Sequence, residues 1–418
     1  VKICRLFLKE KAKSTMEKMF EDSEHAFAYK SDGELRNAFW MFRAMGFNRL
    51  VSAGTNMILE AIKWKLPVNG ILKHTLYNQF VGGETLEKIK PVVDKLGAYR
   101  VDVILDYGAE AKTGEANFNL TTQEFVKAIA YAAAQENIPF ISLKITALAP
   151  FELLEKLNSR VTIDRDALFI DTIGLSEAEY TEWLQVTRRV FQICETAMDH
   201  QLGVLIDAEE SWIQNTIDGI TMLAMKSFNQ KRITVYNTIQ LYRHDRLSFL
   251  KVSLDVADQF GFALGVKLVR GAYMEKEAAR ATARNEMSPI QPDKESTDRD
   301  YNEAVLFCLD HLDQISVVVA THNEFSSFYA TEKLREKQVP PDNGKVCFSQ
   351  LYGMSDNITF GLAREGYRTS KYLPYGPVSD VIPYLLRRAQ ENSSVAGQTG
   401  REAYLLSKEM KRRGLTTF

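Results

Sequence analysis

Two adjacent arginines, Arg387 and Arg388, with Glu391 following at i+3 and i+4 spacing, lie within KYLPYGPVSDVIPYLLRRAQEN at residues 371–392. A guanidinium group grips a carboxylate through two parallel N–H donors, so a pair of them suits one small organic anion. Neighbouring helical residues diverge by about 100°, so the pair converges on one anion only where the helix end overhangs a cavity. Otherwise it is a solvated surface pair. The local pattern predicts a short strand over 370–375, a turn at Gly376-Pro377 and a helix opening near Ser379 or Asp380. Pro383 then falls in the first turn, where no backbone N–H is required.

Lysines inside apolar runs are the second chemical signal. Lys144 lies in FISLKI and Lys267 in ALGVKLV. An ammonium group at such a position is costly unless an anion or acceptor meets it. These runs belong to a series of eight: 101–107, 140–145, 203–207, 234–242, 263–269, 316–320, 346–351 and 370–375. Each is rich in β-branched or aromatic residues, and helical periodicity lies between them. Strand–helix alternation of this kind predicts an α/β chain, a (βα)8 TIM-type barrel with its site at the strand C-terminal ends. A doubly wound open sheet is the alternative. No GxGxxG follows any strand, which argues against a Rossmann dinucleotide site.

Polar residues gather at those strand ends: Asp106, Lys144 with Thr146, Asp207 with Glu209 and Glu210, Gln240, Lys267 leading into Arg270-Gly271-Ala272-Tyr273, Thr321-His322-Asn323, Gln350 and Tyr372. Singly, each could be a satisfied core residue. A shared end for all of them points to a binding site.

Composition sets the frame. The 418 residues carry a net charge of −2, with 45% hydrophobic and 25% charged residues, ordinary for a globular protein. A pI near 6.4 and the lack of a basic arm argue against a nucleic-acid partner. The four cysteines form no CxxC and the six histidines no HExxH, so neither a disulfide framework nor a metal site is expected. No signal or transit pattern is visible at the start. Residues 1–97 read as an N-terminal helical region, with Leu35, Ala38, Phe39 and Phe42, then Val51, Ile58 and Ile62, at helical spacing. Residues 98–418 read as the barrel domain, with a C-terminal helix capping the site.

From Val101 to Asn392 the chain resembles the proline dehydrogenases, flavoenzymes that oxidise L-proline to Δ1-pyrroline-5-carboxylate. The resemblance rests on SLKITAL, LIDAEES, VKLVRGAYMEKE, ATHN, QLYGM and YLPYGP…YLLRRAQEN, in the family's order. The long connection at 149–202 is similar to the mitochondrial-type branch and its bacterial relatives. By this resemblance, the fold is a distorted (βα)8 barrel, and FAD is held non-covalently at its mouth. Lys144, Arg387 and Arg388 match the carboxylate-binding cations, and Asp207 matches the acid that offsets them. Tyr273, Leu351 and Tyr372 match the walls around the pyrrolidine ring, and a tyrosine at 372 resembles the proline-selective members. Gln240, Lys267, Val269, Gly271, Ala272, Thr321, His322, Asn323 and Glu391 match cofactor contacts.

The resemblance further implies hydride transfer from proline C5 to flavin N5, with electrons passed to a membrane quinone. It implies peripheral membrane contact: cytoplasmic at the inner membrane in a bacterium, or on the matrix side of the mitochondrial inner membrane in a eukaryote. The helices over 50–75, flanked by Lys63, Lys65 and Lys73, and the basic tail at 408–413 are the candidate surfaces. The polar segment 285–300 is read as a mobile cover. Oxidation of 4-hydroxyproline and a folate-type flavin-barrel reductase are the alternatives, because fold alone does not fix a reaction.

Overall fold

A computed structural model describes residues 14–47, 51, 54–55, 57–58, 60–61, 64, 69–108, 113–394 and 396–415, with backbone alone at 69, 71, 74, 391–394 and 396–398. The strands are β1 (Val101–Tyr107), β2 (Phe140–Leu143), β3 (Val161–Ile163), β4 (Leu168–Ile170), β5 (Gly203–Ile206), β6 (Val235–Gln240), β7 (Leu264–Val269), β8 (Ile315–Ala320), β9 (Val346–Leu351) and β10 (Thr369–Tyr375). Eight of them close into a barrel in the order β1-β10-β9-β8-β7-β6-β5-β2. All the registered barrel pairs run parallel. Parallel strands covered on both faces need continuous apolar runs, which explains why these segments show little alternation.

Helices alternate with the strands: α1 (Asp32–Met45), α2 (Leu86–Gly97), α3 (Glu115–Ala133), α4 (Phe151–Leu157), α5 (Glu177–Asp199), α6 (Ser211–Phe228), α7 (Arg246–Phe260), α8 (Met274–Arg284), α9 (Lys294–Asp310), α10 (Glu324–Glu336), α11 (Asp356–Arg364), α12 (Val378–Ser394) and α13 (Ala396–Arg412). Their starts are written locally. Ser31 with Glu34, and Ser176 with Glu179, form full capping boxes at α1 and α5.

Three local expectations need correction. Helix α12 opens at Val378, directly after Pro377, so Pro383 lies inside the helix and not in its first turn. Strand β2 stops at Leu143, and a 3-10 turn over Ile145–Ala147 follows Lys144. The segment 285–300 is not one open cover. Asn285 caps α8, and α9 begins at Lys294 behind an Asp293 N-cap that accepts from the Ser296 N–H. The connection at 149–202 also contains a small antiparallel hairpin, β3–β4, which no run of period two announced.

The chain divides into two compact units, residues 1–103, 322–328 and 348–418 forming one, and 104–321 and 329–347 the other. In the second unit the strand starts are filled by aromatic–glycine pairs. Phe140 registers with Gly203 and Tyr236 with Gly265. A Cβ on Gly203 would meet the Phe140 ring at 2.4 Å, and one on Gly265 would meet the Val235 carbonyl at 2.3 Å. The two rings pack edge-to-face with centroids 5.4 Å apart. A large side chain beside an absent one fills this end with carbon and leaves the opposite strand ends for polar groups.

In the first unit α1, α12 and α13 share an apolar core that includes Phe39, Phe42, Leu385, Leu405 and Met410. Arg413 is tied to Glu409 at 2.7 Å, to Asp32 at 3.1 Å and to the Phe27 carbonyl at 2.8 Å, while Lys408 reaches the Glu21 carbonyl. Arg412 pairs with Glu409 and Glu24. Lys408, Arg412 and Arg413 are therefore engaged within the unit, while Lys411 is exposed. Ile62, Lys63 and Lys65 lie outside the described residues.

Candidate functional site

Strand β5 delivers Asp207 one residue past its end, and its backbone N–H is held by the Leu143 carbonyl at 2.9 Å. Three side chains converge on its carboxylate. Ser142 of β2 donates to Oδ1 at 2.7 Å, Lys267 of β7 pairs with the same oxygen, and Lys144 Nζ lies 3.3 Å from Oδ2. Lys267 is 5% exposed and Asp207 9%. Burial works against an ionised carboxyl here, yet the Lys267 and Lys144 charges outweigh it and hold Asp207 well below the usual carboxylate range. Lys144, just past β2, and Lys267, inside β7, thus both meet the anion that their apolar surroundings demand. One carboxylate between two ammonium groups leaves a net positive charge, which is the chemistry of an anion site.

Beside this cluster Glu209 accepts from the Thr146 backbone N–H at 3.1 Å and from its hydroxyl, pinning the turn that follows Lys144. Burial pushes the Glu209 carboxyl up to about 7, against the lowering pull of Thr146 and Lys144. Gln240, 1% exposed, spends its amide N–H groups on the Glu209 carbonyl at 2.7 Å and the Tyr242 hydroxyl at 2.8 Å. It braces the strand end from inside. Below it, Asp218 gathers Gln214, Asn237 and Arg246, the last at 2.6 Å.

Val269 ends β7, and the chain turns at Gly271, whose φ of +83° favours glycine. A Cβ built there would meet nothing within 4 Å. Open space beside this backbone, with Ala272 and the half-buried Tyr273 next in line, fits the close approach of a planar cofactor. Thr321, buried just past β8, belongs to the same unit.

The other unit holds the remaining candidates. Tyr372 in β10 registers directly opposite Leu351 at the end of β9, so the two proposed ring walls stand side by side. Arg388 is 8% exposed, with its guanidinium 5.2 Å from the Tyr384 ring centroid; Arg387 is half-buried beside it. Asn323 Oδ1 accepts the Ser326 N–H at 3.0 Å in the first turn of α10. The partly buried ring of His322 lies with its Nδ1 2.9 Å from Ser355 Oγ. Desolvation, aided by the Lys371 and Arg388 charges, pushes this imidazole down to about 3, so the ring stays neutral. The Glu391 side chain lies outside the described residues.

Sequence reasoning missed two buried lysines, Lys371 and Lys30. Lys371 is fully buried in β10 and pairs with Asp356 at 2.8 Å, which also accepts from Tyr29 at 2.7 Å and faces Lys30 at 3.5 Å. The signal for Lys371 was the same as for Lys144 and Lys267, a lysine within an apolar run. Ser142 and Glu402 were missed as well, and neither carries a distinctive local pattern.

A cavity of about 940 Å³ lies in the first unit among α1, the 69–80 turns and α12. Trp40, Met41, Ile58, Leu76, Leu386 and Ala389 are among its walls, and among the described residues no cofactor or substrate contact identified from sequence lines it.

Comparisons with known proteins identify the family. The family described as Proline dehydrogenase matches residues 89–401. A hydroxyproline dehydrogenase of Xenopus laevis is 34% identical over 93% of this chain and 88% of its own. Proline dehydrogenase 1, mitochondrial, of Dictyostelium discoideum is 31% identical over 94% of this chain and 74% of its own. Among solved structures, proline utilization A of Bdellovibrio bacteriovorus superposes with a TM-score of 0.73 at 20% identity, covering 97% of this chain. This chain spans 44% of that longer protein, and the likeness speaks for the fold. A family match across three quarters of the length, with relatives above 30% identity over most of both chains, makes the chain an oxidoreductase of the proline dehydrogenase family.

Proposed function

We propose that this enzyme oxidises L-proline to Δ1-pyrroline-5-carboxylate with FAD as its cofactor. The single observation that carries the reading is the buried Asp207 held between Lys144 and Lys267 at the ends of three parallel strands. Such a cluster keeps a cation charged in a dry place, which a carboxylate substrate requires. In this reading Lys144, Arg387 and Arg388 bind the proline carboxylate. Asp207 offsets their charge and fixes Lys144, while Tyr273, Leu351 and Tyr372 enclose the ring. Two-point binding of the carboxylate fixes C5 in space, which lowers the barrier by orientation.

Lys267, Gln240 and the 269–272 loop would hold the flavin ring, and Thr321, His322, Asn323 and Glu391 the rest of the dinucleotide. Gln240 would do so from behind, as a brace, because its N–H groups are already engaged. Bound FAD would supply the two-electron acceptor, taking the C5 hydride at N5. The substrate amine enters as the neutral base, and the C5=N bond forms as C5–H breaks.

The finer reading continues with a membrane quinone as the final acceptor, reached through peripheral contact. Exposed Trp40, Phe47, Met57 and Trp64 in the N-terminal region offer an interfacial surface, Trp64 being 77% exposed. The engagement of Lys408, Arg412 and Arg413 makes the 408–413 tail the weaker candidate. No helix among the described residues is long and apolar enough to cross a membrane. The site of action would be the matrix side of the mitochondrial inner membrane, or the cytoplasmic face of a bacterial one.

Purified protein tests the reading. Yellow flavin absorbance that bleaches with proline in the absence of oxygen supports it, and reoxidation by a short-chain quinone supports the acceptor. Bleaching only by 4-hydroxyproline would replace the substrate, and bleaching only by NADH would replace the reaction.

A further inference from the structure

His322 is held by a serine that a buried acid holds in turn. Ser355 Oγ lies 2.9 Å from His322 Nδ1. Glu402 Oε1 lies 2.5 Å from the Ser355 backbone N and 3.3 Å from its Oγ. Three segments of the first unit meet here: the stretch from His322, the N-cap of α11, and α13. Ser355 has a left-handed φ of +50°, a conformation that non-glycine residues keep only where their surroundings impose it. The double hold by Glu402 is such an imposition. Glu402 is 5% exposed and Ser355 2%, so water does not compete for these bonds.

The serine hydroxyl has one proton to give, and that makes the chain directional. An ionised Glu402 accepts both the Ser355 N–H and its O–H. The hydroxyl oxygen must then accept from the ring, so His322 carries its proton on Nδ1 and presents a bare Nε2. A protonated Glu402 still accepts the N–H but releases the hydroxyl. Ser355 then donates to Nδ1, and the ring proton sits on Nε2.

We propose that Glu402 is a positioning residue that selects, through the Ser355 hydroxyl, which nitrogen of His322 carries its proton. His322 thereby offers either a donor or an acceptor at Nε2. On the reading that His322 contacts the cofactor, only the Nε2–H form suits an anionic, acceptor-rich group such as a dinucleotide phosphate.

The charged surroundings permit the switch. Burial and the facing Asp356 push Glu402 up to about 7, while Ser355 and the Lys371 charge act downward. Asp356 is itself held by Lys371, Lys30 and Tyr29. Lys371 and Arg388 face His322. Arg401, the neighbour of Glu402 in α13, is turned to Glu324 and Glu21. With the ring neutral throughout, its tautomer is the one variable left.

The test uses flavin-loaded protein with ¹⁵N-labelled histidine imidazoles, the His322 signals being assigned with His322→Gln. The ring proton should sit on Nε2 at pH 6 and on Nδ1 at pH 8.5, and both Glu402→Gln and Ser355→Ala should abolish that switch. An unchanged tautomer across this range in the unmodified protein overturns the proposal, whatever the variants do. A switch that persists in Glu402→Gln also overturns it. FAD release, followed by flavin fluorescence, separates the relay from the cofactor reading. One hydrogen bond gained or lost should weaken FAD binding about tenfold between pH 6 and 8.5 in the unmodified protein and leave Glu402→Gln unaffected. A tautomer switch without any change in FAD affinity keeps the relay and removes His322 from the cofactor contacts.

Discussion

Lys144 Nζ lies 3.3 Å from Asp207 Oδ2, joining the residue after β2 to the residue after β5. Lys267 holds the other oxygen, so the acid is the common counter-charge for two lysines in an apolar setting. Asp207→Asn removes that charge and keeps the shape. It should destabilise the protein by about 3–5 kcal/mol, the usual cost of leaving a buried ion without its partner. The folded Asp207 carboxyl titrates below its unfolded value near 4, so its contribution is present above that value and is lost as pH falls through the folded one. Urea midpoints should therefore differ fully at pH 7 and converge only in strong acid. Equal midpoints at pH 7 would show that the lysines find other acceptors.

Glu402 should behave in the opposite sense. Its folded pKa is raised to about 7, above the unfolded value near 4.3. Whatever stability this adds is complete below the unfolded value and is lost as pH rises through the folded one. Glutamine mimics the protonated acid. Glu402→Gln should thus raise the melting temperature at pH 8.5, where the native carboxylate is ionised against Asp356, and change it little at pH 5. A variant less stable than the parent at pH 8.5 would mean that the ionised carboxylate is favoured where it lies.

The eight barrel strands were legible because strands buried on both faces leave long apolar runs, and each run was placed within a residue or two of β1, β2 and β5–β10. The β3–β4 hairpin was not, since each of its strands has three residues and shows no full period. Pro383 misled because proline favours a first turn by propensity, whereas here Pro377 precedes the helix and tertiary packing carries α12 past the second proline. In the site, Lys144 and Lys267 declared themselves by being charged within apolar runs. Asp207 stood among the polar strand ends, its counter-charge role came from the family resemblance, and Ser142 was invisible because serine is unremarkable inside a strand. Glu402 lies 47 residues beyond Ser355 in an ordinary amphipathic helix, so only the folded chain reveals the pairing.

Arg388 offers the sharpest test of carboxylate binding. It is buried against Tyr384 and sits next to the half-buried Arg387. Methionine matches its stem and keeps the ring contact, so Arg388→Met should fold. Loss of charge-assisted bonds worth about 1.5–3 kcal/mol should raise KM for proline roughly 10- to 100-fold. Flavin content should hold. Turnover like that of the parent at low proline concentration would take Arg388 out of the clamp.

Tyr372 stands opposite Leu351 in the β9–β10 register and is 8% exposed, so its phenol packs where space is already defined. A bulky wall disfavours a ring that carries an extra hydroxyl, while a small polar residue gives that hydroxyl room and a partner. Apolar walls alone reject such an addition by only about 100-fold, so the achievable change is modest. Tyr372→Ser should lower the ratio of kcat/KM for proline over 4-hydroxyproline about tenfold, mainly through a better value for the hydroxylated substrate. The ratio, measured with both substrates on one flavin-loaded preparation, is independent of how much active enzyme is present. If it does not move, the ring that selects between the two substrates is not the one at 372, and Tyr273 in the loop after β7 becomes the wall to vary.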